Sequence, residues 1–209
     1  FAMDWEFSTG RRVPVKYEHD LPPEACRDRV AMQVVASGPD SKSEEIKCGM
    51  IKMINSAKNY VYIQTPYFVP DPAFLTAVQM AAESGVDVRV MIPGMPDKQY
   101  VYHTTMSYVG ELLDAGVKVL LYPGFIHSKT IVVDDEVSTI GTANIDIRSF
   151  QLLFEINAFM YSRDMAVECR NIFSTDATVC RELTPDAYKK RGIVKIIEEG
   201  FFRLFSPIM

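Results

Sequence analysis

Two hydrophobic periods alternate along this chain. Short β-branched or aromatic runs at 30–36, 60–65, 86–92, 117–122, 126–133 and 152–161 have the length and make-up of strands, and stretches of helical spacing lie between several of them. Helix ends are marked too: Ser41 and Glu44 have the spacing of a capping box, Asp71-Pro72 offers a cap followed by a first-turn proline, and Gly85 and Gly116 stand where helices stop. The stretches 82–88 and 113–119 echo one another around those glycines, a recurrent helix-to-strand joint and not a repeat architecture. The alternation predicts an α/β fold: a single domain whose mixed, largely parallel sheet is flanked by helices.

In such a sheet, right-handed crossovers bring the loops after successive parallel strands to one edge, where ligands bind. That edge is expected to collect 37–40, 65–70, 93–97 and 123–125, the last leading directly to His127. Tyr67, Phe68, Met95 and Phe125 would line the cleft with an apolar rim, with core or loop packing as the plainer alternative. Before residue 30 the chain changes character. Polar and proline-punctuated between Arg11 and Glu24, it reads as a linker with a boundary near Arg29, and His19 within it as solvated. His103 falls in a helical pattern and reads as a packed or surface residue. At the far end, apolar residues at 193, 194, 196, 197, 201, 202, 204 and 205 lie among Lys189, Lys190, Arg191, Lys195 and Arg203. This is the pattern of a terminal helix packed on the domain, with contact to an anionic membrane surface as the alternative.

Composition narrows the partners. A chain of 209 residues with 48% apolar content can bury one substantial core, and no apolar run is long enough to span a bilayer. A formal charge of −5 argues against the broad basic surface of a nucleic-acid binder, although a local basic groove remains compatible with it. Cys26, Cys48, Cys169 and Cys180 lack metal-ligand spacing and read as buried free thiols, so no metal site is expected.

The chemistry concentrates at His127-Ser-Lys129. On a strand over 126–133, residues two apart share a face, which sets the imidazole beside the ammonium. A histidine near neutrality can act as nucleophile or general acid, and a lysine is a compact charge suited to a phosphate oxygen. Together they point to phosphoryl or phosphatidyl transfer through a phosphohistidine. A strand over 152–161 puts Glu155 and Asn157 on one face and Phe154, Ile156 and Ala158 on the other, making Glu155 a candidate to orient the imidazole. Thr142 and Asn144 are candidates to bind phosphate oxygens. Asp134, well along the strand from His127, is expected to be structural.

His127-x-Lys129-x4-Asp134-x6-Gly141-x2-Asn144 resembles the signature of the phospholipase D superfamily, with Thr142 where the superfamily often has Ser. Tyr62–Pro70, Gly85–Arg89, Asn144–Ser149 and Arg203–Met209 further resemble the carboxy-terminal half of the bacterial cardiolipin synthase family, so that the similarity covers nearly the whole chain. The resemblance implies catalytic roles for His127, Lys129, Asn144 and Glu155, phosphate binding by Lys129, Thr142 and Asn144, structural roles for Asp134 and Gly141, and no cofactor. It also implies that two such motifs build one site about a two-fold or pseudo-two-fold axis, one histidine taking the phosphoryl group and the other protonating the leaving group. Here the histidines are His19, His103 and His127, and neither of the first two has a lysine two residues on.

The opening Phe1–Gly10 resembles the tail of a first half. The chain is accordingly expected to be a fragment, with 1–29 as tail and linker and 30–209 as the second catalytic domain. Its expected partners are the first motif-bearing half of the same protein, or a second copy, together with phosphatidylglycerol and a membrane surface. The implied reaction joins two phosphatidylglycerols into cardiolipin and releases glycerol. The full-length protein would reside at the bacterial cell membrane, with this fragment soluble or peripheral. A single-motif phosphodiesterase or nuclease working as a homodimer is the alternative, and an inactive interaction domain using only the fold is a third reading.

Overall fold

The computed structural model describes residues 2–13 and 30–208, within which the β-branched runs become strands and the amphipathic stretches helices. In chain order the elements are α1 (Ala2–Thr9), β1 (Met32–Ser37), α2 (Glu45–Ser56), β2 (Tyr60–Gln64), β3 (Phe68–Val69), α3 (Pro72–Glu83), β4 (Asp87–Pro93), α4 (Gln99–Asp114) and β5 (Lys118–Tyr122). They continue with β6 (Thr130–Val133), β7 (Val137–Gly141), β8 (Ile145–Asp146), α5 (Ile147–Gln151), β9 (Glu155–Met160), α6 (Arg163–Ala177), β10 (Arg181–Leu183), α7 (Pro185–Lys189), α8 (Ile193–Arg203) and a final 3-10 turn, Ser206–Ile208. The expected linker and boundary near Arg29, with His19 and Cys26, lie outside the described residues.

Eight strands form one mixed sheet in the order β1-β9-β7-β6-β2-β4-β5-β10, with helices on both faces. The parallel share is smaller than the pattern suggests: only β2–β4 and β4–β5 pair in parallel, and the other pairings in this sheet are antiparallel. The reason lies in the connections. Helices α3 and α4 supply the crossovers that parallel neighbours require, whereas β6 and β7 are joined by a tight turn, which enforces antiparallel pairing. That turn puts Asp134 and Asp135 at φ +53° and +56°, and Glu136 N–H donates to the Val133 carbonyl at 3.0 Å.

Strand parity sorts the core. Val61, Ile63, Val90, Val119 and Ile131 face α2, α3 and α4, while Met91, Leu120 and Val132 meet α6 through Phe173, Ala166 and Cys169. Phe68 belongs to the first of these cores at 1% exposure, so it is not a rim residue. Cys48 is exposed and Cys169 buried, correcting the expectation that all the thiols are buried.

Caps follow the sequence in part. Asp71 accepts from Phe74 N–H at 2.9 Å ahead of Pro72, and Gly85 and Gly116 take φ +91° and +88° just past α3 and α4. The expected Ser41–Glu44 box does not form, because Ser41 Oγ accepts instead from Gly38 N–H at 3.2 Å and α2 starts at Glu45 without a side-chain cap.

Strand directions decide where the loops meet. Alternating antiparallel pairings leave β1 and β7 running the same way as β2, β4 and β5, with β6 and β9 opposed. The ends of the first group and the starts of the second therefore share one edge. A second, two-residue parallel ladder, Phe68↔Ile145 and Val69↔Asp146, ties the loop after β2 to the segment after Asn144 at that edge.

Candidate active site

The motif is delivered by an irregular loop and not by the strand expected over 126–133, since β6 begins only at Thr130. Strand-like alternation nevertheless persists through the loop. Ser128 and Thr130 hydroxyls donate to Gln64 Oε1 at 3.4 and 3.0 Å, and Gln64 Nε2 donates to Asp176 of α6 at 2.8 Å. Gln64, 3% exposed, thus anchors every second residue, leaving His127 and Lys129 on the opposite side. There they touch: Lys129 Nζ lies 3.3 and 3.2 Å from His127 Nδ1 and Nε2 and donates to the His127 carbonyl at 3.0 Å. The Phe125 ring sits 5.6 Å from the imidazole, so Phe125 does flank the site as expected.

Partial burial, together with the Lys129 charge, pulls the His127 pKa below its ordinary value, with Lys98 adding to the effect and Asp97 opposing it. The imidazole is therefore biased towards its neutral, nucleophilic form. Burial likewise lowers Lys129, against the pull of the Glu155 and Asp146 carboxylates. Glue for the neighbouring loop comes from Tyr67, whose hydroxyl donates to Asp97 at 2.6 Å while Lys98 lies 5.7 Å from its ring centre. Burial, reinforced by Asp97, pushes the Tyr67 phenol upward, which keeps it protonated.

Glu155 stands at the start of β9 and acts electrostatically on Lys129; among the described residues no hydrogen bond joins it to His127. Within this chain its charge bears on the Lys129 ammonium. Thr142 bonds the backbone of the neighbouring strand. Its hydroxyl accepts from Ile156 N–H at 2.9 Å and donates to the Ile156 carbonyl at 3.3 Å, so its proton is committed to the backbone. Asn144 has the contrary character. Its side chain hydrogen-bonds Asp146, yet its Oδ1 is buried with no partner among the described residues. The orphan atom is an acceptor that a ligand N–H or O–H would complete, whereas a phosphate oxygen can be met only by the amide N–H groups of Asn144.

The remaining motif positions are architectural. Asp134, at the other end of β6 from His127, accepts from the backbone N–H groups of Lys58, Asn59 and Tyr60 at 2.6, 2.9 and 2.7 Å. A side chain at Gly141 would collide with the Asn157 carboxamide and the Ile156 carbonyl. Asn157, 1% exposed, accepts from Ala143 N–H at 3.3 Å and donates to Thr139 at 3.2 Å, holding the 141–144 segment in place. Asp146 is buried, accepts from Ser149 N–H at 2.6 Å, and has its pKa raised by burial. Gln64, Asp97, Asp146 and Asn157 were not singled out by function from the sequence. Their signal was a polar residue at a buried strand position, or beside a motif, and only contacts give that signal meaning. Among the described residues no cluster of potential metal ligands occurs.

Fold and motif together define a phospholipase D-type domain. Structures of that class superpose on it: a phospholipase D family member, Nuc from Salmonella typhimurium, at TM-score 0.62 and 19% identity over 75% of this chain and 99% of that one. Phosphatidylserine synthase from Haemophilus influenzae superposes at TM-score 0.65 and 15% identity, over 86% of this chain and 46% of that one. More narrowly, the family model described as "Cardiolipin synthase, PLD-like domain" matches residues 50–177, and the chain belongs to that family. Cardiolipin synthase from Listeria monocytogenes is 46% identical over 211 residues, and the major cardiolipin synthase of Bacillus subtilis 47% identical over 210, each match covering all of this chain and 44% of the relative. The chain thus spans less than half the length of these relatives, matching their carboxy-terminal half.

Proposed function

We propose that this chain supplies one half of the active site of a phosphatidyltransferase that makes cardiolipin from two phosphatidylglycerols. The observation that carries the reading is the meeting, at one sheet edge, of a partly buried imidazole with a lowered pKa and an ammonium in contact with it, with Asn144 at the same edge. In the nucleophile role, a nitrogen of His127 attacks phosphorus and the bond from phosphorus to the glycerol oxygen breaks. A second histidine, from the other half-site, protonates the departing glycerol. The terminal hydroxyl of the second phosphatidylglycerol then attacks the phosphohistidine, gives up its proton to that second histidine, and releases His127. In the general-acid role the two histidines exchange these tasks. Lys129 and the Asn144 amide hold the phosphate oxygens in both cases, and Asp134 and Gly141 hold the frame.

The half-site is completed by a first motif-bearing half of the same protein, residues 1–29 being its tail and linker, and the complete enzyme works at the bacterial membrane. A homodimeric phosphodiesterase or nuclease is the second reading, favoured by the single motif in this chain and disfavoured by its net charge of −5.

The test is an assay of phosphatidyl transfer with the complementing half present. His127→Ala is expected to lower it by about three orders of magnitude or more, as catalytic groups that act as a unit are strongly non-additive. Transfer within tenfold of the parent would overturn the reading. Rapid acid-free quenching with headgroup-phosphate-labelled substrate should trap label on His127 if it is the nucleophile, and on the partner histidine if His127 is the acid.

A further inference from the structure

A cavity of about 560 Å³ lies beside the motif, between α8 with its following turn on one side and α4 and α5 on the other. Its walls are mainly apolar: Val69, Val101, Leu153, Phe202, Phe205 and Ile208. Its polar lining is confined to Lys98, Asn144, Asp146 and Arg148, apart from the hydroxyls of Tyr67 and Tyr100. Asn144 and Asp146 are the residues that border the phosphate site, so the cavity begins where that site ends. Lys98 and Arg148 form no ion pair among the described residues and supply positive charge at the same end. Volume and lining fall in the range of sites that enclose a small apolar ligand oriented by few polar groups. The cavity is also continuous with exposed apolar surface, because Phe201, Phe205 and Ile208 line it while remaining 55%, 39% and 64% exposed.

We propose that this cavity seats one acyl chain of the phospholipid whose phosphate is held at Lys129 and Asn144. The inference rests on the phosphatidyl-transfer reading for the identity of the headgroup, but the chain seat stands on its own geometry. A chain entering past Phe201 would run along the aromatic wall of α8 with its anionic end towards Lys98, Arg148 and Asn144. Of the rim expected from sequence, Met95 and Phe125 do not line this space; Phe125 lines a separate, smaller pocket that shares Tyr67 and Lys98 with it.

Two measurements separate the seat from the reaction. In the first, a dansyl-labelled fatty acid is titrated into the protein by fluorescence and competed with long-chain phosphatidylglycerol. Saturable binding is expected, weakened at least tenfold by Leu153→Trp, which fills the cavity, and several-fold by Phe205→Ala, which removes part of its wall at an exposed position. Phe205→Ala decides the matter if Leu153→Trp does not fold. Binding unchanged in a folded variant overturns the proposal. In the second, kcat/KM of the enzyme with both half-sites is measured over phosphatidylglycerols of increasing chain length. Burial of each added methylene should raise it about fourfold until the seat is full, and Leu153→Trp should flatten that dependence. An equal slope in parent and variant sinks the seat. Probe binding that obeys the first prediction without turnover of any phosphatidylglycerol leaves the seat standing and removes the transferase reading instead.

Discussion

At the scale of single residues, the site is governed by who neighbours His127. A lowered histidine pKa means that the neutral form persists to lower pH than in a free peptide. Where His127 acts as nucleophile, activity is present above that pKa and lost as pH falls through it, so the acid limb should lie below the ordinary histidine range. The unfolded chain binds a proton on this residue more readily than the folded one, so its contribution to stability also declines as pH drops through the same window. After burial, the Lys129 charge contributes to the shift, and its replacement gives a direct check: Lys129→Met should move the His127 titration, followed by imidazole NMR, to higher pH. A titration that stays put or moves lower would show that the ammonium does not face the ring. His127, Lys129 and Asn144 stand out in the sequence because their spacing is specific. Glu155 and Thr142 were legible as positions, but not in what they touch. Which ring or carbonyl a side chain meets depends on β6, β7 and β9 being brought together, and no spacing along one strand states that.

At the scale of elements, α8 inverts the usual arrangement. Its one buried residue is Glu199, paired with Arg191 at 2.9 Å, and Arg191 in turn stacks 3.6 Å from the Tyr188 ring centre. Arg203 reaches the Ser107 carbonyl at 3.2 Å and lies over Tyr108, while Phe202 stacks on His103 at 5.6 Å. The helix therefore docks on α4 through polar and aromatic groups and leaves Ile193, Val194, Ile197 and Leu204 between 63% and 76% exposed. The sequence pattern is compatible with a terminal helix packed on the domain or with contact to an anionic membrane surface; α8 packs on α4 while its apolar stripe stays outward. Glu199→Ala should destabilise the fold by about 2 kcal/mol, because it strands a partly buried guanidinium. Ile193→Ser, on the outward stripe, should change stability by less than about 0.5 kcal/mol. Urea midpoints at constant m-value distinguish them, and equal effects would show that the ion pair does not dock the helix.

At the scale of the whole molecule, the sheet edge gathers one imidazole and one ammonium of the motif, which is half of what a symmetric two-motif site would hold. Among the described residues no helix is long and apolar enough to cross a membrane. Light scattering of this chain, with activity assayed on each resolved species, should find an inactive monomer that gains transfer activity when a first motif-bearing half is added. An active two-fold dimer that loses activity on His127→Ala would instead assign completion of the site to a second copy.

Local chemistry in the chain was enough to determine the α/β class, the motif, the caps at Asp71, Gly85 and Gly116, and the edge at which the loops converge. Each of these depends on residue types at short separations, where periodicity and backbone preference act directly. The tertiary structure decided the antiparallel pairings of the sheet, the anchoring of the motif loop on Gln64, the bonding of Thr142 to Ile156, the charge effect of Glu155 on Lys129, and the cavity under α8. These depend on contacts between residues far apart in the chain, whose geometry is set by how strands pair and helices cover them and not by any local pattern.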